Sequence, residues 1–347
     1  MEKKLSITDI AIALKVSKTT VSFVINGKGR AKRISSVVER RILDYIEAVG
    51  YQPNEFARAL STGKSNIIVV MIEDVSDPFF SGIARMIEES AHKKGYKIIY
   101  SSTENDTKKT KELLKIYRAQ NVDGYIIAPP LGIEEEIKSL LAANLPVVLF
   151  DRFFPSISTN NVVVNNYKGT YGAVNHFFNS GHRNVAFVTL SSEQIQMQQR
   201  LDGYMTALAE HEAQCFIKKI VYHEELDKLV EEIEQFLKMN KQLDAVFFST
   251  NYLAEAGLEA IQNLKLKIPK DLGVIVFDDC NFFRLFTPSI TAVAQPLREI
   301  SENIINLLLT NLSDPELHQE KQTIIIPTQL MIRNSTLKGE AKPSACK

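Results

Sequence analysis

The sequence predicts an α/β protein in two parts. A small all-α head of helix-turn-helix form precedes a larger two-lobed body of doubly wound parallel sheets. Three observations predict this. At 347 residues the chain is too long for one ordinary hydrophobic core. Its first 64 residues carry three helix-capping signals, each followed by apolar residues at helical spacing. From residue 65 onward, short apolar runs alternate with amphipathic stretches in two successive sets of β-α units.

In the head, Ser6 is a good N-cap with Asp9 three residues on, the spacing of a capping box. Ile7, Ile10, Ala11 and Leu14 follow at helical spacing, and a break falls at Lys15–Val16. Ser17 is a second N-cap, and the helix after it runs to about Ile25 before stopping at Asn26–Gly27. The pair Ser35–Ser36 caps a third helix, with Glu39 placed for a second capping box. Val38, Ile42, Tyr45, Ile46 and Val49 form its buried stripe, and Gly50 ends it. Two short helices joined by a tight turn and braced by a third define a helix-turn-helix.

The charge is unevenly spread. Residues 1–64 hold 12 Lys and Arg against 6 Asp and Glu, and the remainder holds 29 against 35, so the chain as a whole is neutral. A basic head on an acidic body points to a polyanionic partner for the head. No apolar run approaches the roughly 18–20 residues of a membrane span. The N-terminal stretch MEKKLSITDIAIALKV is broken by Ser6, Thr8 and Asp9 and does not read as a signal peptide. Cys215, Cys280 and Cys346 form no CxxC pair, which argues against a disulfide framework or a zinc site. A cytoplasmic protein without metal or cofactor is the expectation.

The stretches ITDIAIALKVSKTTVSFVINGKG and RISSVVERRILDYIEAVGYQPNEFARALSTGKS, with body motifs continuing to IRNST at Ile332–Thr336, carry a specific resemblance. The sequence resembles the lactose-repressor/galactose-repressor (LacI/GalR) family of bacterial transcription regulators over nearly its whole length. That resemblance implies that the second helix enters the major groove of a pseudo-palindromic operator in double-stranded DNA. Lys18, Thr19 and Phe23 would then touch base edges, and Thr20 and Ser22 phosphates, with Ser17 and Asn26 at the two ends of the helix. Phe23 departs from the family, which often has Arg there; Phe can press on a thymine methyl but cannot pair with guanine. The competing reading is that the ring packs on Val49 or Tyr51.

Residues 1–52 are thus expected to form the DNA-binding domain and residues 53–64 a hinge. Pro53 would start a helix, Asn54 cap it and Gly63 end it, with barely two turns between. By resemblance, Leu60 would wedge between base steps in the minor groove and Ala57 would face the hinge of a dimer mate.

In the body, the runs at 66–72, 97–102, 123–130 and 146–151 read as buried parallel strands, with amphipathic helices such as Phe80–Lys94 and Lys108–Gln120 between them. A second series lies at 184–190, 218–223, 244–250 and 273–279. Ligands of such sheets bind at the carboxyl ends of the strands, so the cleft between the lobes is the default site. This half resembles the type I periplasmic-binding-protein fold, which the family uses as an effector sensor. The resemblance implies one lobe over about 65–162 and 293–326, and another over about 163–292 and 327–336. The chain would cross between them near Asn161–Asn166, Thr291–Gln295 and Ile326–Gln329. It assigns Phe79, Asp151, Arg200, Asn251, Asp278 and Gln295 to the effector site. Two carboxylates, a guanidinium, two amides and a ring suit a polyhydroxylated ligand, whose hydroxyls both donate and accept. Tyr252 stands where the family usually has Asp. His182 is expected to be a structural hydrogen-bonding residue.

The tail, residues 337–347, has no heptads and reads as disordered; a homodimer is the expected assembly. A sugar-responsive repressor is therefore the leading expectation. A corepressor-type regulator responsive to a purine or nucleoside is the alternative within the class, and a sugar-binding protein without DNA function the alternative outside it. Enzyme signatures are missing: no GxGxxG follows a strand, and there is no P-loop and no GxSxG. The glycine-rich GKGRAKR at 27–33 follows a helix and is a phosphate-contacting turn at most.

Overall fold

The structure is a computed structural model that describes residues 5–51, 64–221, 225–313 and 321–337. The hinge residues Pro53, Asn54, Ala57, Leu60 and Gly63, and the tail from residue 338, lie outside the described residues. The chain divides into two compact units, residues 1–65 and 66–347.

The first unit contains α1 (Ile7–Ala13), α2 (Lys18–Ile25) and α3 (Ser36–Ala48). The capping box at Ser6 forms in full: Asp9 donates its N–H to the Ser6 hydroxyl and accepts from the Ser6 N–H. Ser17 caps α2 by accepting from the Thr20 N–H. Between α1 and α2 the chain turns through Lys15 at φ 50°, and after α2 through Gly27 at φ 66°, where a side chain would be strained. At α3 the expected second capping box does not form. Ser35, not Ser36, is the N-cap, accepting from Val38 N–H. That choice moves Glu39 one position too far along to reach back. Its carboxylate instead lies against Gly29, where a Cβ would meet it at 2.7 Å. Ile10, Ala11, Val21, Val24 and Ile42 form the buried centre of the head. Arg41 of α3 donates to the Leu14 carbonyl at the end of α1 (2.8 Å), bracing the first helix with the third.

The second unit holds two six-stranded sheets. One contains β1 (Ile67–Ile72), β2 (Lys97–Ser102), β3 (Gly124–Ile127), β4 (Val147–Phe150), β5 (Asn160–Val164) and β11 (Thr323–Ile326), in the order β11-β5-β4-β3-β1-β2 and parallel throughout. The other contains β6 (Val185–Leu190), β7 (Phe216–Ile220), β8 (Ala245–Phe248), β9 (Gly273–Phe277), β10 (Thr291–Ala294) and β12 (Gln329–Met331). Its order is β12-β10-β9-β8-β6-β7, with β12 alone antiparallel. Strands alternate their side chains between the two faces of the sheet. Ile68, Val70 and Ile72 thus enter one core while Val69 and Met71 enter another, and Phe187 and Val188 divide in the same way in the second sheet. β7 begins two residues before its expected run. It is an edge strand, and its pairing with β6 from Ala186↔Phe216 to Leu190↔Ile220 sets its position more than its lysine-interrupted sequence does.

Helices cover both sheets: α4 (Pro78–Lys93), α5 (Thr107–Ala119) and α6 (Glu134–Ala142) in the first lobe, and α7 (Asn166–Asn179), α8 (Ile195–Glu210), α9 (Leu226–Met239), α10 (Asn251–Asn263) and α11 (Asn281–Leu285) in the second. The last long helix, α12 (Leu297–Ser313), follows β10 yet packs on α4 and β5 of the first lobe. Both sheets reverse their strand order beside their first strand, at β1/β3 and at β6/β8. The lobe boundaries fall slightly later than 162 and 293 imply, because β5 continues in the first sheet to Val164 and β10 in the second to Ala294.

Candidate functional site

The six residues expected at the effector site, Phe79, Asp151, Arg200, Asn251, Asp278 and Gln295, all line one small cavity of about 50 Å³ between the lobes. Five of them reach it from the end of an element, and Arg200 from the second turn of α8. Asp151 directly follows β4, Asp278 follows β9 and Gln295 follows β10, while Phe79 and Asn251 lie in the first turns of α4 and α10. Asp151 and Asp278 turn sharply out of their strands in the left-handed region, at φ 64° and 78°. Such conformations are uncommon for residues other than glycine and collect at functional sites.

Arg200 is the centre of the second-lobe side. It is 2 % exposed. Its Nε donates to Asn166 Oδ1 (2.9 Å) and its Nη1 to the Ser249 carbonyl (2.5 Å), while the guanidinium lies over the Phe277 ring at 3.6 Å. Asp278 Oδ2 is 3.8 Å from Nη1, an ion pair without a close hydrogen bond, and Asp278 Oδ1 accepts from Gln295 Nε2 at 2.5 Å. Burial pushes the Asp278 carboxyl up to about 6, against the pull of Arg200. Burial likewise raises Asp151 and Asp77 from the ordinary carboxylate range.

Among the described residues, hydrogen bonds cross from lobe to lobe at two places. Asn251 Nδ2 donates to Asp77 Oδ2 at 2.8 Å; the other oxygen of Asp77 caps α4 by accepting from the Phe79 and Phe80 N–H groups. Deeper in, the buried Arg152 donates to Glu73 (2.7 Å) in its own lobe and to Gln194 Oε1 (2.7 Å) in the other. Gln194 also donates to Asn105, which itself donates to Glu73. Glu73, Arg152, Gln194 and Gln196 were not among the expected residues. Glu73 immediately follows β1 and Arg152 follows Asp151, so the strand-end rule already pointed to both. Gln196 lies four residues before Arg200 on α8, on the same face, and that spacing was the signal for it. Tyr252 lines the cavity as well. His182 is fully buried, with Nδ1 at 2.8 Å from the Asp244 carbonyl.

In the head, Lys18 and Thr19 are exposed on α2. The hydroxyls of Ser17 and Thr20 are 2.8 Å apart, and Asn26 Nδ2 donates to the Ser22 carbonyl. Phe23 is half-buried and stands outside the apolar cluster of the head; Lys32 Nζ lies over its ring at 5.3 Å. The turn after α2 also exposes Lys28, Arg30 and Arg33. Among the described residues no group of His, Cys, Asp and Glu is placed to hold a metal ion, and no helix is long and apolar enough to cross a membrane.

A three-helix head whose second helix exposes Lys18 and Thr19 before a basic turn, joined to a two-lobed body with a polar cleft at its strand ends, defines a DNA-binding regulator of the helix-turn-helix class. Residues 6–54 match the family of bacterial regulatory proteins named for LacI, and residues 174–336 match a periplasmic binding protein-like domain. The transcriptional regulator DegA of Bacillus subtilis is 30% identical over 96% of this chain and 98% of its own. The chain belongs to the LacI family of DNA-binding transcriptional regulators. The HTH-type transcriptional repressor PurR of Aliivibrio salmonicida is 26% identical over 96% of this chain and 99% of its own. The solved lac repressor dimer, bound to operator and an anti-inducer, shares the fold at 22% identity with a TM-score of 0.82, covering 96% of this chain and all of that one.

Proposed function

We propose that the protein is a homodimeric, cytoplasmic repressor whose operator affinity is set by a small sugar or sugar-derived effector bound between the lobes of the body. The observation that carries the effector half is the convergence of Arg200, Asp278, Gln295, Asp151, Asn251 and Phe79 on one cavity. Carboxylates and amides spread around that space suit separate hydroxyls, each of which donates and accepts. Phe79, the aromatic side chain expected there, is buried edge-to-face against Phe80 at 5.0 Å, and Tyr252 also lines the cavity, so it is the scattered polar groups rather than the rings that favour a sugar over a purine. Entry of a ring requires the lobes to part, because the present space holds only a few waters.

The DNA half rests on the exposed Lys18 and Thr19, on Phe23 beside them and on the basic turn that follows. Ser17, Thr20, Ser22 and Asn26 are occupied in capping α2 and position it against the backbone of the duplex. Asn54, Ala57 and Leu60 retain the hinge role proposed from resemblance. The test is a thermal-shift screen with sugars, sugar phosphates and purines, followed by a gel-shift assay on a palindromic operator. A sugar that shifts both melting and operator affinity supports the reading, and a response to purines alone overturns it.

A further inference from the structure

The cavity and its mouth are unbalanced in charge. Four carboxylates, Glu73, Asp77, Asp151 and Asp278, line the cavity against two guanidinium groups, Arg152 and Arg200. Both arginines are committed to the protein: Arg152 to Glu73 and Gln194, Arg200 to Asn166, the Ser249 carbonyl and the Phe277 ring. Neither offers the open two-pronged face that holds a phosphate. The outer chamber, about 340 Å³, is lined by Glu73, Asp74, Asp77 and Glu255, and by no basic side chain among its described residues.

A second observation is independent of charge. Gln196 is 3 % exposed and lines the same cavity. Its Nε2 donates to Gln194, but its Oε1 has no hydrogen-bond partner. A buried acceptor left in this way costs free energy until a donor arrives. The free capacity of the site is therefore for donors, and its field repels anions before they reach it.

We infer that the cleft selects an unphosphorylated, donor-rich ligand, a neutral polyol or an amino sugar, and rejects the phosphorylated form of the same compound. This rests on the effector reading above and narrows it to one charge class. Gln196 Oε1 would accept from one hydroxyl or amine of the ligand.

The experiment uses the full-length protein and the small molecules of a bacterial extract. Anion exchange at neutral pH in a volatile buffer splits the extract into a flow-through of neutral and cationic compounds and a retained pool of phosphates and carboxylates. Each pool is dried, redissolved at equal extract equivalents and tested for a rise in melting temperature, which any ligand of the native state produces. A rise with the flow-through alone is expected. A rise with the retained pool, alone or equally, overturns the charge selection while leaving an effector site in place. A rise with neither overturns the effector reading itself. Matched pairs then test the point directly: glucose and glucosamine against glucose 6-phosphate, and ribose against ribose 5-phosphate. Any sugar that binds should do so at least about tenfold more tightly than its phosphate. In Gln196→Leu the active pool should be needed at about tenfold higher concentration for the same shift. An unchanged response would remove Gln196 from the argument.

Discussion

Asn251 and Asp77 join the two lobes of the body by one hydrogen bond, 2.8 Å long, between the first residue of one helix and the N-cap of another. Burial raises the Asp77 carboxyl, and the Asn251 amide pulls it back toward the charged form. The bond therefore acts as a latch whose strength depends on an amide facing a carboxylate. Asn251→Asp would set two carboxylates at hydrogen-bond distance. We expect the variant to hold its lobes apart, with a larger radius of gyration by small-angle X-ray scattering than the wild type. An unchanged radius would mean that closure rests on the Arg152 bridge instead.

The Asp278 carboxyl predicts a pH dependence whose sign can be worked out. Its folded value, about 6, lies above the roughly 3.9 of an unfolded aspartate. Between those values the folded protein holds more protons than the unfolded chain, so this group favours folding most below about pH 4, and that contribution is lost as pH rises through 6. Asp77 and Asp151 shift in the same direction and add to the trend. A ligand hydroxyl donating to Asp278 favours its charged form. Ligand affinity should therefore fall as pH drops through 6, with proton release on binding. Calorimetry in two buffers of different ionisation enthalpy measures that release, and Asp278→Asn should abolish most of it.

Arg200→Ala should remove the ligand response and also destabilise the body. The sequence assigned Arg200 to the ligand; the structure adds contacts to Asn166, Ser249 and Phe277 that hold the second lobe together. Removing one partner of a buried ion pair costs on the order of 3–5 kcal/mol. Denaturant titration would read this as a lower midpoint. A normal midpoint with full ligand response would place Arg200 outside both roles.

For the head, Phe23→Ala should weaken binding at one A·T pair of each half-site, and Phe23→Arg should move preference there toward G·C, by ~1–3 kcal/mol. A matrix of variants against operators resolves it. Losses equal across all base pairs would assign the ring to packing. Lys32→Ala, which uncovers the Phe23 ring, should weaken operator binding and lower its salt dependence, because it removes one positive charge from the face proposed to meet the phosphates.

Much of the fold was legible because the strands of parallel sheets are buried on both faces and appear as apolar runs. The run KIIYSS became β2 with both ends unchanged. The head was equally open to reading, since Ser6, Ser17 and Gly27 each act through local chemistry. What escaped was set by tertiary contact or by a choice between equivalent neighbours. The position of β7 comes from its partner strand, and the cap of α3 from a choice between two adjacent serines. Within the site, residues with an unusual type at a strand end could be found. The Glu73–Arg152–Gln194 bridge could not, because it joins three segments up to 121 residues apart in the chain.

The interleaving of the lobes also dictates an order of events on the ribosome. The first lobe needs α12 against its helix and strand and β11 at its edge, and these end only at Ile326. The head is complete by Ala48, its core drawn wholly from residues between Ile10 and Ile42. Residues that emerge first can therefore fold early, while β1 waits for more than 200 residues of synthesis before its lobe closes. A nascent chain thus has its DNA-reading module well before the body beside it can close.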